Sequence, residues 1–346
     1  MKRILLFFVL LFCILPVLSN SLEAGAVFLM IFPGSRATSM GGAFGAIEGD
    51  VFSTYYNNAA LAFSDKKVLG LQHANWLPGL YKGMYYEYLA FALPVGKDMN
   101  VSGAVTYLTT GMTEASFEGI YREWLTYDVA FKLAGSMPIS DKMGVSLGMK
   151  YIYSFLAPEE IVEELGRQYG GTMRGGTGHA WALDGSIFYR WTDLANIEAL
   201  GMEWLNVLRL GLAFQNFGTE IRYIEGGNSD PLPRTIRAGF SLGLLENKEH
   251  QLRLNLDLIK IAVHIENYTD FREMWEDTWK AYGLEYIFNE LFSLRFGYFI
   301  DELGKRKGPT FGAGFQYKTF YFDLSVDQEI YDFETSNYRL SAQYSF

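Results

Sequence analysis

FYFDLSVDQEI, residues 320–330, carries two kinds of chemistry on one short segment. In an extended chain successive side chains point to opposite sides. Phe320, Phe322, Leu324 and Val326 therefore share one face, and Tyr321, Asp323, Ser325, Asp327 and Glu329 share the other. LFSLRFGYFI (291–300) repeats the pattern, with Phe292, Leu294, Phe296, Tyr298 and Ile300 against Ser293, Arg295 and Gly297. In LRLNLDL (252–258) four leucines oppose Arg253, Asn255 and Asp257, and farther upstream Leu208, Leu210, Leu212 and Phe214 oppose Arg209, Gly211 and Gln215. A soluble sandwich also alternates, so other features must decide. The segments are about ten residues long, the length of a tilted membrane strand. Trp76, Trp124, Tyr151, Tyr153, Trp191 and Tyr317 stand near their ends, as in aromatic girdles. The charges lie opposite the apolar face, as in a polar lumen. The class is all-β: a transmembrane antiparallel β-barrel.

Working outward from these segments yields roughly fourteen strands, an even number as bacterial barrels require. They run from 68–76 and 85–95 through 100–110, 124–137, 179–191 and 207–217 to 320–329 and 337–346. Short connections such as PVGKDMN, PISDK and KT alternate with long ones at 111–123, 156–178, 218–233 and 263–279. That asymmetry assigns the short turns to the periplasm and the long loops to the outside. Residues 192–206 interrupt the rule and read as a helix at the inner interface, with Leu194, Ile197 and Trp204 on one side.

The N-terminus predicts an exported chain. Lys2 and Arg3 precede an apolar run from Ile4 to Val17, and Val17-Leu18-Ser19 is an acceptable cleavage site, giving a signal peptide over 1–19, with the next small residues, Ser21 and Ala24, as alternatives. The single cysteine, Cys13, lies inside it, so the mature chain has neither disulfides nor thiol chemistry. The net charge of -10 excludes nucleic acid as a partner and an electrostatic attraction to anionic lipid.

Between the signal and the first strand lies SRATSMGGAFGAIEGDVFSTYYNNAALAF (35–63), too rich in glycine for a good helix and poorly alternating. With the preceding AGAVFLMIFPG it resembles the N-terminal region of the PorV/PorQ family, within the FadL-like group of outer-membrane barrels. The matching positions are Pro33, Ser35, Arg36, Ala37, Met40, Gly41, Ala46, Asp50, Asn57, Ala59, Leu61 and Ala62. Asn58 departs from the family's proline. GLAFQNFG (211–218), LPRTIRAGFSL (232–242) and FGAGFQYKTFYFDLSV (311–326) resemble its barrel strands.

The resemblance implies a plug over 20–66 inside a barrel spanning 67–346, in the outer membrane of a Gram-negative-type bacterium. Small residues suit close packing in a lumen, and Arg36 is expected to meet Asp128, Asp184 or Glu285. The plug either fills the pore or gates it. The closing strand YRLSAQYSF (338–346), with Tyr344 and the terminal Phe346, resembles the signal read by the barrel assembly machinery. The expected partners are outer-membrane lipid, that machinery, type IX secretion components and cargo with sorting domains.

Three functions follow, in order of preference: an accessory barrel of type IX secretion, a FadL-like passive channel for hydrophobic small molecules, and a lipid A-modifying enzyme. No cofactor or metal is expected, because His73, His179, His250 and His264 have no partner at ligand spacing. GGTMRGGTGHA (170–180) lacks the Lys-Ser/Thr ending of a phosphate loop. The hydroxyl–imidazole pairs available for catalysis are His179 with Ser154 or Thr177. PEEIVEELGRQYG (158–170) and FREMWEDTWKAY (271–282) have helical spacing and belong to outer loops.

Overall fold

The structure is a computed structural model that describes residues 24–79, 83–96, 98–117, 120–192, 194, 197–199, 202–263, 270–328 and 335–346. The expected signal peptide, His264 and Glu329 lie outside these residues. The strands are Val68–Asn75 (β1), Tyr85–Val95 (β2), Met99–Phe117 (β3), Ile120–Ser140 (β4), Met143–Phe155 (β5), Thr177–Thr192 (β6), Ile197–Ala199 (β7), Met202–Gly218 (β8), Thr235–Glu246 (β9), His250–Ile261 (β10), Trp279–Phe288 (β11), Phe292–Asp301 (β12), Arg306–Tyr317 (β13), Phe320–Gln328 (β14) and Ser336–Ser345 (β15). Neighbours in sequence pair antiparallel, β1 pairs with β15 from Val68↔Ser345 onward, and β6 pairs with β8. The three-residue β7 pairs with β8 alone in the described ladder. The other fourteen strands close a barrel with no free edge.

Its polarity is inverted relative to a soluble sandwich. Leu147, Leu294 and Leu324 are 67%, 65% and 60% exposed, while Asp257 and Glu285 are 0% exposed. That distribution suits lipid outside and a polar, filled interior. On β14 Phe322 and Leu324 face out and Asp323 and Ser325 face in. On β12 Phe292, Leu294 and Phe296 face out and Arg295 faces in, as the alternation dictates.

Three expectations are corrected. Residues 111–123 are not a loop: β3 and β4 continue as a ribbon from Gly111↔Thr126 to Phe117↔Ile120. A bulge between Thr109 and Gly111 aims this extension past the rim, where Thr113 and Thr126 join their hydroxyls at 2.8 Å. The helix expected over 192–206 gives way, among the described residues, to a ladder: Ile197, Glu198 and Ala199 pair with Trp204, Glu203 and Met202. A short helix is marginal alone, and here the start of β8 offers a ladder edge instead. Trp76 does not join an aromatic girdle; it turns inward beneath the Arg339 guanidinium, 5.2 Å from its ring centre. The two helical spacings in the outer loops appear as helices, Glu159–Gln168 and Phe271–Glu276, although Trp279 already belongs to β11.

Candidate functional site

Residues 24–66 lie against the lumen-facing side chains of the wall. The segment makes only single turns, at Val27–Met30, Ser35–Thr38, Ser53–Tyr56 and Asn58–Leu61. Its glycines forbid a longer helix, so most of its amides need partners outside it. The wall supplies them. Gly34 N donates to Gln72 Oε1 of β1, and Ser35 N donates to Ser341 Oγ of β15 at 3.1 Å. Gly41 N reaches Thr310 Oγ1 of β13 at 2.9 Å, and Phe44 N and Gly45 N reach Asp257 Oδ2 of β10 at 3.1 and 2.8 Å. Val51 N meets Gln343 Oε1 at 3.2 Å, and Ala59 N meets Ser186 Oγ of β6 at 3.0 Å. Strands around much of the circumference thus hold one short peptide.

Close approach is provided by glycines on the wall. A Cβ at Gly211 would sit 1.9 Å from Gly45 O, and one at Gly239 would sit 2.6 Å from Gly45 C. At Gly283 it would meet Met40 Cβ at 2.6 Å, at Gly297 Gly41 N at 2.3 Å, and at Gly312 Ser39 Cβ at 2.4 Å. Residues 39–45 therefore lie directly on the backbone of β8, β9, β11, β12 and β13.

A charge cluster locks this contact. Arg36 donates through Nε and Nη2 to both oxygens of Glu285, at 2.8 and 2.7 Å, and through Nη1 to Asp50 Oδ2 at 3.1 Å. Arg295 binds the same Glu285 at 2.7 Å and Asp323 at 2.6 Å. Nearby, Arg237 Nη1 spans Asp257 Oδ2 at 2.6 Å and Gly42 O at 3.0 Å, with its guanidinium over the rings of Phe32 and Tyr56. The phenols of Tyr55 and Tyr56 donate to Leu29 O and Pro33 O at 2.9 and 2.7 Å. Burial pushes both phenol pKa values up, so each remains a neutral donor.

Of the three carboxylates expected for Arg36, only Glu285 meets it. Asp128 accepts from Ser154, and Asp184 binds Lys132 at 2.6 Å and Lys150 at 3.3 Å. Pro33, Ser35, Arg36, Met40, Gly41, Asp50, Asn57 and Ala59 come together in this one interior region. Asn57 Nδ2 bridges Gly45 O and Ile187 O at 2.9 and 3.0 Å, and Met40 packs beside Asn255, whose Nδ2 lies 3.4 Å from its sulfur. Asn58, where the family has proline, accepts from Ser102 Oγ of β3 at 2.7 Å, which replaces ring rigidity with a wall contact. Tyr344 and Phe346 stack at 5.6 Å on the outward face of the short-turn end. Sequence reading missed Asp257 and Arg237 as partners of the segment and Arg295 as the second cation on Glu285. Their signal was the presence of charges at lumen-facing positions of otherwise apolar strands.

Above the segment, at the long-loop end, lies a cavity of about 310 Å³. Phe28, Ile31 and Phe32 floor it, Trp76, Trp279 and Phe299 wall it, and Arg306, Lys307, Asp327 and Arg339 add charge. The catalytic pairing of His179 with Ser154 does not form. His179 is exposed on the outer face with Thr177, whereas Ser154 is 1% exposed and points inward. His73 and His250 face Glu87 at 2.6 Å and Tyr286 at 2.7 Å. Among the described residues no group of three or more His, Cys, Asp or Glu side chains is placed to hold a metal.

A family model, that of the type IX secretion system protein PorV, matches residues 19–267. No curated protein matches the chain in sequence. In structure the chain resembles the Pseudomonas putida toluene transporter TodX at a TM-score of 0.54 and 13% identity, covering 90% of this chain and 97% of that one. It resembles the Ralstonia pickettii toluene transporter TbuX at 0.50 and 12%, covering 90% and 97%. At such identities the likeness is one of fold.

Proposed function

The chain belongs to the PorV family of type IX secretion proteins, and from that premise we propose that it is an accessory barrel that receives sorting-domain cargo at its outer mouth and passes it to a surface partner. As a member of that family the protein is an outer-membrane barrel associated with type IX secretion. The observation that carries the finer reading is the extent of the family match, which takes in the whole N-terminal segment and the wall through β10. In this reading residues 20–66 are a plug that closes the lumen, the barrel spans 67–346, and the work is done by binding and not by catalysis. The cargo meets the long outer loops, including the helices Glu159–Gln168 and Phe271–Glu276. Tyr344 and Phe346 serve insertion by the barrel assembly machinery.

A second reading, a passive channel for hydrophobic small molecules, is favoured by the apolar lining of the outer cavity and by the fold shared with two toluene transporters. The test pairs a pull-down, using a sorting-domain fusion as bait, with an uptake assay for a long-chain fatty acid. Cargo capture that is lost on shortening 156–178 or 263–279, without uptake, supports secretion. Uptake that responds to Arg36→Ala, with no cargo captured, replaces it with the channel.

A further inference from the structure

We infer that the aromatic edge of helix Phe271–Glu276 is an interfacial anchor, docked on the outside of the wall and resting in the outer leaflet of the membrane. This goes beyond the secretion reading. It gives one edge of the helix to lipid and leaves the opposite edge, Arg272, Glu273 and Glu276, to whatever meets the loop from outside.

The wall beneath shows where the helix lies. On β11 the odd positions face inward, since Gly283 lies against Met40 and Glu285 meets Arg36. Lys280, Tyr282 and Leu284 therefore share the outer face. Tyr282 and Leu284 are 44% and 40% exposed, but Lys280 is only 3% exposed. Trp275 covers it, with its ring centre 5.1 Å from Lys280 Nζ, and Glu302 accepts from that ammonium at 2.9 Å. On the next strand Lys260 faces outward, opposite to the buried Ile259 and Ile261, and its ammonium is held by Asp277, just past the helix. The helix thus folds down over the outer side of the rim. Both lysines beneath it are paired, as cations beside hydrocarbon are expected to be.

The height selects the occupant. Lys280 stands eight positions above Phe288, an exposed aromatic at the short-turn end of the same strand. At about 3.4 Å per residue and a tilt of about 40°, the rise is about 20 Å, within an apolar band about 25 Å tall. Tyr282 and Tyr298 pair across strands one step lower, as an outer girdle. Trp275 is then level with the boundary between acyl chains and headgroups, where tryptophan is favoured. Phe271 is 70% exposed and stacks on Trp275 with ring centres 6.4 Å apart. At helical spacing Phe271, Met274 and Trp275 share one edge, continuous with the lipid-facing Tyr282 and Leu284. The charges of the helix are mixed, with Arg272 on Glu276 at 2.8 Å, so a basic patch seeking phosphate is not what holds it. The occupant is the acyl–headgroup boundary itself.

The test uses the full barrel in nanodiscs that hold one copy each. Cys13, in the expected signal peptide, is the only cysteine of the chain, so a single nitroxide label reports one position. The label on Phe271→Cys should be relaxed more by oxygen, which enters lipid, than by a nickel chelate, which stays in water. The label on Arg272→Cys should show the reverse. Adding Trp275→Glu to Phe271→Cys should shift that label toward the chelate, in a barrel that keeps its heat-modifiable migration. Equal access of the chelate to both positions overturns the inference, and so does a label that ignores Trp275→Glu. Shielding of Phe271→Cys that appears only when two barrels share a disc, or only when a sorting-domain protein is added, also overturns it and assigns the edge to protein.

Discussion

Arg36→Ala and Arg237→Ala remove one guanidinium each from the contact between the segment and the wall, and they should differ in size. Arg36 makes three charged contacts, but its loss leaves no carboxylate alone. Glu285 keeps Arg295 at 2.7 Å, and Asp50 keeps Phe52 N at 2.9 Å and Gln343 Nε2 at 3.1 Å. The expected cost is that of a charge-assisted hydrogen bond, about 1.5–3 kcal/mol. Arg237 is 1% exposed, and Asp257 beside it is 0% exposed. Removing Arg237 leaves a buried carboxylate with, among the described residues, the amides of Phe44 and Gly45 alone, and breaking one side of a buried pair costs about 3–5 kcal/mol. Amide hydrogen exchange at Phe44 and Gly45, in a barrel that stays folded, reads the opening of the segment directly. Arg36→Ala should speed it by about ten- to a hundredfold and Arg237→Ala by several hundredfold or more. The double variant Arg237→Met with Asp257→Asn should recover part of the second loss, because the amide acceptor survives without its charge. Equal effects of the two single variants, or a larger one for Arg36, would refute the claim that orphaned charge decides the cost.

Leu254→Arg, on the lipid face, should cost about 2–4 kcal/mol in a denaturant series, whereas Arg253→Ala, inside the lumen, should be much milder; the opposite order means the register is wrong by one. Gly297→Val should loosen residues 39–45 by about 1–3 kcal/mol, seen as faster proteolysis of the segment in a barrel that keeps its heat-modifiable migration, because its Cβ would press on Gly41. Deleting Phe346 should slow insertion in a reconstituted assembly assay, and unchanged kinetics would deny the terminal stack that role.

The wall was legible because in a strand the position along the chain fixes the face. FYFDLSVDQ (320–328) and LFSLRFGYFI place their apolar and polar sets on opposite faces as the alternation dictates, and closure needs nothing beyond repetition. The errors arose where local pattern and pairing compete. Residues 192–206 have helical spacing, but Ile197–Ala199 lie beside a strand that needs a partner, and the pairing wins. The extended β3–β4 ribbon was read as a loop because its polar alternation lacks the apolar face that marks a membrane strand. At the candidate site the segment was recognisable from its residues, but its partners were not. Arg36 and Glu285 are 249 positions apart, and choosing Glu285 over Asp128 or Asp184 requires knowing which side of the lumen the segment leans on. The glycines at 211, 239, 283, 297 and 312 carry no meaning singly; only the closed wall places them under one peptide.

The order in which the chain emerges gives the segment's contacts a temporal meaning. Ser35 waits for Ser341, Thr38 for Ser325 and Gly41 for Thr310, separations of 306, 287 and 269 residues. Contacts this remote are slow to form, since the whole intervening loop must close first. The earliest part of the barrel chain to be synthesised is therefore among the last to settle, and its glycine-rich backbone has no lasting shape until the final strands arrive. A barrel missing those strands would leave its own beginning without these partners and more open to protease.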